Sequence, residues 1–233
     1  MNKLIAECYD FMKDCCLTYA ICGGYALELF TNTVKRAHSD VDLALFAEDR
    51  KAVIDFILNK GWKVYEPLHS QNCLREIIDS NDERVLNCFN VWAIKPDCSF
   101  FVIEPKSGEN HCFNFKILDE EQKHFDFIEI IFNMKKDGEF ICDEEKGISR
   151  ELDKAILYRG NVPYLAPEII LFFISNPAYI ESEYHKEKNN IDFEYVPYFL
   201  PKESVNWLIK AIEKAYPQGN IRLEQLKNLQ RIL

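Results

Sequence analysis

The stretch GGYALELFTNTVKRAHSDVDLALF, residues 23–46, opens on two glycines, passes Arg36 and His38, and ends with Asp40 and Asp42 at the mouth of an apolar run. On a strand, residues two apart point to the same face with roughly 6 to 7 Å of rise between them. Two carboxylates that close repel unless a cation intervenes, and hard oxygen ligands select Mg²⁺ or a similar ion that keeps waters and takes up substrate phosphates. We therefore expect a divalent metal at Asp40 and Asp42. Gly23 and Gly24 lie between the apolar run TYAIC and the helix formers of YALELF. Such a turn lets the backbone approach a phosphate, while the helix N-terminus offers free N–H groups and a partial positive charge. Arg36 and His38 can add a cation and a hydrogen bond to the same ligand. A phosphate cradle, an acid pair and a cation within about twenty residues describe a triphosphate site.

Each part alone is common. With 15 aspartates in 233 residues, one D-x-D arises by chance, but a double glycine followed at this range of spacings by D-x-D is expected in roughly 0.01 of shuffled chains. The combination carries the information.

Around this stretch, residues 3–16 place Leu4, Ile5, Cys8, Phe11, Met12 and Cys15 at helical spacing. DVDLALF alternates like a strand, and EDRKAVIDFILNKGW opens with acids, carries Val53, Ile54, Ile57 and Leu58 on one face, and closes at Gly61. The first sixty or so residues thus read helix, strand, helix, strand, helix. From Lys63 to Asp143, aromatic and β-branched segments such as VLNCFNVWAI, SFFVIE, HFDFIEIIFN and EFICDE alternate with KPD, KSGEN and KKDG turns, which predicts strands. Beyond Leu165 the helical pattern returns in APEIILFFI, around residues 188–199, in KESVNWLIKAIEKAY and in NIRLEQLKNLQRIL. The fold class expected is α/β (α+β), a mixed sheet flanked by helices over residues 1–158 and a helical part over residues 159–233, joined near residues 159–163.

Composition narrows the partners. An apolar fraction of 48% with 13% aromatic residues can supply a core. The net charge of −10 opposes a polyanion, so no nucleic-acid partner is expected. Nine scattered cysteines without a C-x-x-C pair read as reduced thiols of a cytoplasmic protein. The first sixteen residues carry Lys, Glu and Asp among their apolar positions, unlike a signal peptide, and the longest apolar runs are too short to span a bilayer; neither secretion nor a membrane is expected.

Written as GG-YALELFTNTVK-RAHSDVD, the opening stretch resembles the antibiotic nucleotidyltransferases of the lincosamide and aminoglycoside-2''-adenylyltransferase type, within the DNA polymerase β-like nucleotidyltransferase superfamily. Looser matches are NVWAI at 90–94, YLAPEIILFF after Gly160, and KNNIDF from Lys188. Tyr25 stands where that family usually has Trp, Asn32 where it often has a turn glycine, and residues 97–123 look like an insertion. The resemblance implies that Gly23, Gly24, Tyr25, Arg36, His38 and Ser39 bind ATP, that Asp40 and Asp42 bind two Mg²⁺ ions, and that AMP passes to a hydroxyl of a small-molecule acceptor.

A third carboxylate should come from a neighbouring strand. HFDFIEIIFN offers Asp126 and Glu129, three apart and so on opposite faces. We favour Glu129 as metal ligand and base, since the apolar run EIIF and the KKDG turn follow it as they follow the family's acid, while Asp126 suits a strand entrance. Lys188 and Asp192, four apart on a helix, form either a surface ion pair or a phosphate contact from Lys188. Trp207, Tyr195, Tyr198 and Phe199 are candidates for an acceptor wall or for core, and Tyr184 and His185 for an acceptor site or a solvated face. The expected activity is thus Mg²⁺-dependent nucleotidyl transfer; the alternative is a catalytically weak or inactive nucleotide-binding module of the same fold, a sensor or a toxin–antitoxin-like partner.

Overall fold

The computed structural model describes residues 2–68, 71–183 and 186–230; Tyr184 and His185 lie outside the described residues. The chain divides into two compact units, one formed by residues 1–21 and 38–134, the other by 22–37 and 135–233.

The first unit begins with α1 (Lys3–Met12), whose start is capped by the Asn2 side chain accepting from the Leu4 N–H. Its apolar stripe, Leu4, Ile5, Cys8 and Met12, is buried. After β1 (Tyr19–Cys22), the chain returns to this unit in β2 (Asp42–Phe46) and α3 (Arg50–Asn59), which stops at Lys60 and Gly61 with Gly61 at φ +79°. There follow β3 (Lys63–Leu68), β4 (Cys73–Ile77), β5 (Asn90–Ile94), β6 (Phe101–Pro105), β7 (Cys112–Ile117), and β8 (Phe127–Lys136), whose end leads into β9 (Glu139–Asp143) of the second unit. Their order is β1-β2-β8-β5-β3-β4-β7-β6. β2 and β8 run parallel, whereas every pair from β8 to β6 is antiparallel, so the sheet is mixed.

Register sorts the side chains into two faces. Leu43 lies opposite Ile130 and Ile130 opposite Val91, while Ala93 lies opposite Val64 and Val64 opposite Ile77. All are buried, and α3 packs against β3. Phe11 of α1 joins this layer to Phe56, Trp62 and Phe125 through ring contacts of 5.6, 4.7 and 5.6 Å. The other face carries the row Asp42, Glu129, Trp92, Tyr65.

Residues 97–123, expected as an insertion, form the β6–β7 hairpin at the far edge of the sheet. Their aromatic rings fold back on the second face: Phe101 stacks on Trp92 at 5.3 Å, and Phe115 meets the same ring edge-on at 5.1 Å. The segment therefore extends the sheet at its margin and leaves β2 and β8 adjacent.

The second unit contains α2 (Gly23–Thr31), the hairpin of β9 and β10 (Ile148–Glu151), the short α4 (Leu152–Ala155), and the hairpin of β11 (Ile156–Arg159) and β12 (Val162–Leu165). Residues 159–163 thus make the tip of a hairpin, turning at Gly160 with φ +60°. Helices α5 (Pro167–Ile174), α6 (Pro177–Glu181), α7 (Lys186–Tyr195), α8 (Lys202–Ala215) and α9 (Ile221–Gln230) follow. Pro167 and Pro177 sit in first turns, where a missing N–H costs nothing. α8 packs its buried Val205, Leu208 and Ile212 against α5 and α9. Within this core Glu168 accepts from Arg150 Nη2 and from Ser204 Oγ, each at 2.8 Å. Trp207 donates to the Ser149 carbonyl at 2.9 Å.

Candidate active site

Asp42 is the first residue of β2 and lies in register with Glu129 on the parallel β8, so their side chains rise from one face on adjacent strands. Asp40 departs from the expected strand geometry: it sits in a bend before β2 begins. The bend is held in place by two backbone bonds, from the Gln122 N–H to the Ser39 carbonyl at 2.8 Å and from the Glu129 N–H to the Val41 carbonyl at 3.0 Å. The second extends the β2–β8 ladder one step past the strand. A bend rather than a pleat brings Asp40 back to Asp42, and one oxygen from each of Asp40, Asp42 and Glu129 lies within 4.8 Å of the others. All three side chains are half-buried.

Neighbours shape this cluster. Ser39 Oγ donates to Asp40 Oδ1 at 2.5 Å. Asn90 on β5, 7% exposed, donates from Nδ2 to Glu129 Oε1. Gln122 is buried and donates its amide to the carbonyls of His124 and Phe127, at 2.8 and 2.9 Å, which fixes the segment whose N–H holds Ser39. His38 is half-buried immediately before Ser39. Sequence alone gives neither Asn90 nor Gln122 a role; the signals for Asn90 are that it opens the NVWAI match and carries that segment's side-chain amide.

Asp126 goes elsewhere. Its Oδ2 accepts from the Ser99 N–H at 2.7 Å and Ser99 Oγ at 2.8 Å, so it ties the start of the β6 segment to the start of β8. Burial beside it pushes the Cys98 thiol up to about 11.

In the second unit, Gly23 and Gly24 are the first residues of α2. Gly23 has φ +59°, a conformation open to glycine at little cost, and it turns β1 into the helix without an intervening loop. The N-cap, Cys22, makes no side-chain capping bond, and the first turn has no acidic residue. Tyr25 is buried at 4% exposure. Arg36 grips Asp192 on α7 through Nε, at 3.0 and 3.1 Å, and through Nη2, at 2.6 Å. Asp192, expected beside Lys188, is thus the partner of the motif arginine. Lys188 lies half-buried on the same helix. Tyr195 packs on Phe199 at 4.8 Å and carries the Lys35 ammonium over its ring at 4.0 Å; Tyr198 is 66% exposed, and Trp207 is half-buried with its ring edge-on to Phe172.

A set of three carboxylates on half-buried residues suits a hard divalent cation, which removes the mutual repulsion of the acids. Among the described residues all nine cysteines are free thiols, and no helix is long and apolar enough to cross a membrane.

No family model matches the chain, and no curated protein matches it. Among solved structures it is similar to the lincosamide antibiotic adenylyltransferase LnuA in its lincomycin-bound crystal structure, at 15% identity and a TM-score of 0.47, over 86% of this chain and 98% of that one. It is similar to the solution structure of the antibiotic-resistance factor ANT(2'')-Ia, at 13% identity and a TM-score of 0.46, over 92% of each chain. ANT(2'')-Ia in complex with adenylyl-2''-tobramycin gives 13% identity and a TM-score of 0.37, over 98% of this chain and 95% of that one.

Proposed function

We propose that the chain is a cytoplasmic, metal-dependent nucleotidyltransferase that moves AMP from ATP to a hydroxyl of a small-molecule acceptor, of the aminoglycoside or lincosamide kind. The observation that carries this reading is the meeting of Asp40, Asp42 and Glu129 within 4.8 Å, acids drawn from two distant stretches of the chain. The motif GG-x11-R-x-H-x-D-x-D supports it independently and, through the family resemblance, assigns Gly23, Gly24, Tyr25, Arg36, His38 and Ser39 to the nucleotide; Lys188, from the looser KNNIDF match, is assigned to a phosphate.

In this reading Asp40, Asp42 and Glu129 would hold two Mg²⁺ ions, which would supply charge neutralisation for an in-line displacement at the α-phosphorus. The acceptor oxygen bonds to that phosphorus as the bond to pyrophosphate breaks. The hydroxyl proton passes to Glu129, provided the acceptor stands within hydrogen-bond reach of its carboxylate. The Ser39 hydroxyl bonded to Asp40 Oδ1 limits the rotation of that side chain, so its orientation is set before a cation arrives.

Calorimetric titration with a non-hydrolysable ATP analogue tests the reading. Wild type should bind only with Mg²⁺, and Asp42→Asn should lose that binding. A wild type that binds no nucleotide under either condition overturns it. Incubation with α-labelled ATP and a panel of aminoglycosides, lincosamides and proteins then distinguishes an enzyme from a non-catalytic sensor, because labelled AMP on any acceptor rules out the sensor.

A further inference from the structure

The strand β5 is apolar except at its first residue. Asn90 lies opposite Ile131, and Trp92, two residues on, lies opposite Glu129. Asn90, Trp92, Glu129 and Ile131 therefore point to one face, the face on which Asp42 stands across from Glu129. From that diagonal position Asn90 Nδ2 donates to Glu129 Oε1. The amide is buried, which makes the bond hard for water to replace.

The residue type is informative. A glutamate has one more rotatable bond than an aspartate, and ordering it costs more side-chain entropy. Glu129 is the longest of the three acids, so it has the most orientations to lose when it binds a cation. A neutral amide donor can fix one carboxylate oxygen without adding positive charge; a lysine or arginine there would itself neutralise the acid and compete with the metal.

Resting on the acid centre proposed above, we infer that Asn90 is a positioning residue for metal binding, holding the Glu129 carboxylate in the orientation in which it joins Asp40 and Asp42. It acts through Glu129 and touches neither nucleotide nor acceptor.

The test is calorimetric titration of the full chain with Mn²⁺ alone, for wild type, Asp42→Asn, Asn90→Leu and Asn90→Gln, with circular dichroism to establish that each is folded. Wild type should bind Mn²⁺ and Asp42→Asn should not. Asn90→Leu, which keeps the branching of the side chain and removes the donor, should weaken Mn²⁺ affinity about 10- to 100-fold, the usual effect of losing a ligand's outer hydrogen bond. Asn90→Gln, which keeps an amide donor, should recover most of the loss. Should Asn90→Leu not fold, Asn90→Ala takes its place with the same expectation. Unchanged affinity in the folded donorless variant overturns the inference, and so does an equal loss in Asn90→Gln, which marks a packing role. A wild type that binds no Mn²⁺ removes the metal centre itself, and the inference falls with it.

Discussion

Asp42 and Glu129 face each other across the parallel ladder of β2 and β8, and Asp40 joins them from a bend pinned by the Glu129 and Gln122 amides. Without a cation, the same contacts that build the centre press like charges together. Asp42→Asn should therefore stabilise the metal-free protein, by about 1 kcal/mol as for like charges directly opposed on neighbouring strands. Urea unfolding in a chelator measures this. In excess Mg²⁺ the order should reverse, because wild type alone gains the binding free energy. A variant less stable than wild type in the chelator contradicts the account.

The pair Arg36–Asp192 is 16% and 9% exposed at its side chains and uses two nitrogens of the guanidinium. Removing one partner leaves a nearly buried charge alone. Asp192→Ala should destabilise the protein by about 3 kcal/mol, and Arg36→Ala by a similar amount. Arg36→Lys should recover little, since an ammonium lacks the planar fork. Denaturant midpoints of the two single variants and the double variant give the coupling energy; additive losses would show that the pair does not act as a unit.

Asn32 ends α2 at φ 56°, ψ 29°, with its N–H donating to the Glu28 carbonyl at 2.9 Å. Asparagine tolerates this left-handed position, and glycine does so without a Cβ. Asn32→Gly should be neutral within about 0.5 kcal/mol, whereas Asn32→Ala should cost about 1 kcal/mol. Thermal unfolding of the two variants decides; an alanine variant equal to glycine would mean that the helix end relaxes.

Burial raises several weak acids. Cys142 rises to about 12, with the Arg150 charge pulling the other way. Cys88 and Cys98 rise to about 11, and Tyr65 to about 12. These groups stay neutral in the folded chain at a pH where the unfolded chain ionises them, from the ordinary 9.0 of a thiol and 10.0 of a tyrosine upward. Their contribution to stability is complete below pH 9.0 and is lost as pH climbs toward about 12. Urea midpoints should fall across that window, and Cys142→Ala should make the fall shallower. A midpoint that stays level through it contradicts the assignment.

Local signals were readable, and most long-range ones were not. The KKDG turn is a hairpin with Asp137 at φ 51° and Gly138 at φ 81°, the geometry Asp-Gly favours. The helix stops at Asn32 and Gly61 were equally visible, because each depends on one residue's backbone freedom. By contrast β12 contains Pro163, a residue that argues against a strand, and β4 carries Arg75 and Glu76, so neither announces itself by pattern. The meeting of Glu129 with Asp42 could be anticipated from the acid's flanking residues. The partners of Arg36 and of Glu129 could not: Asp192 and Asn90 reach them only through helix and strand packing that periodicity does not encode.

The sheet of the first unit ends at β6, whose exposed outer residues include Glu104 and Pro105. A proline offers no N–H to a stray strand, and a carboxylate resists being stacked on its own copy. The segment that lengthens this sheet therefore also blunts its margin, leaving concentrated protein a poor template for edge-to-edge polymerisation.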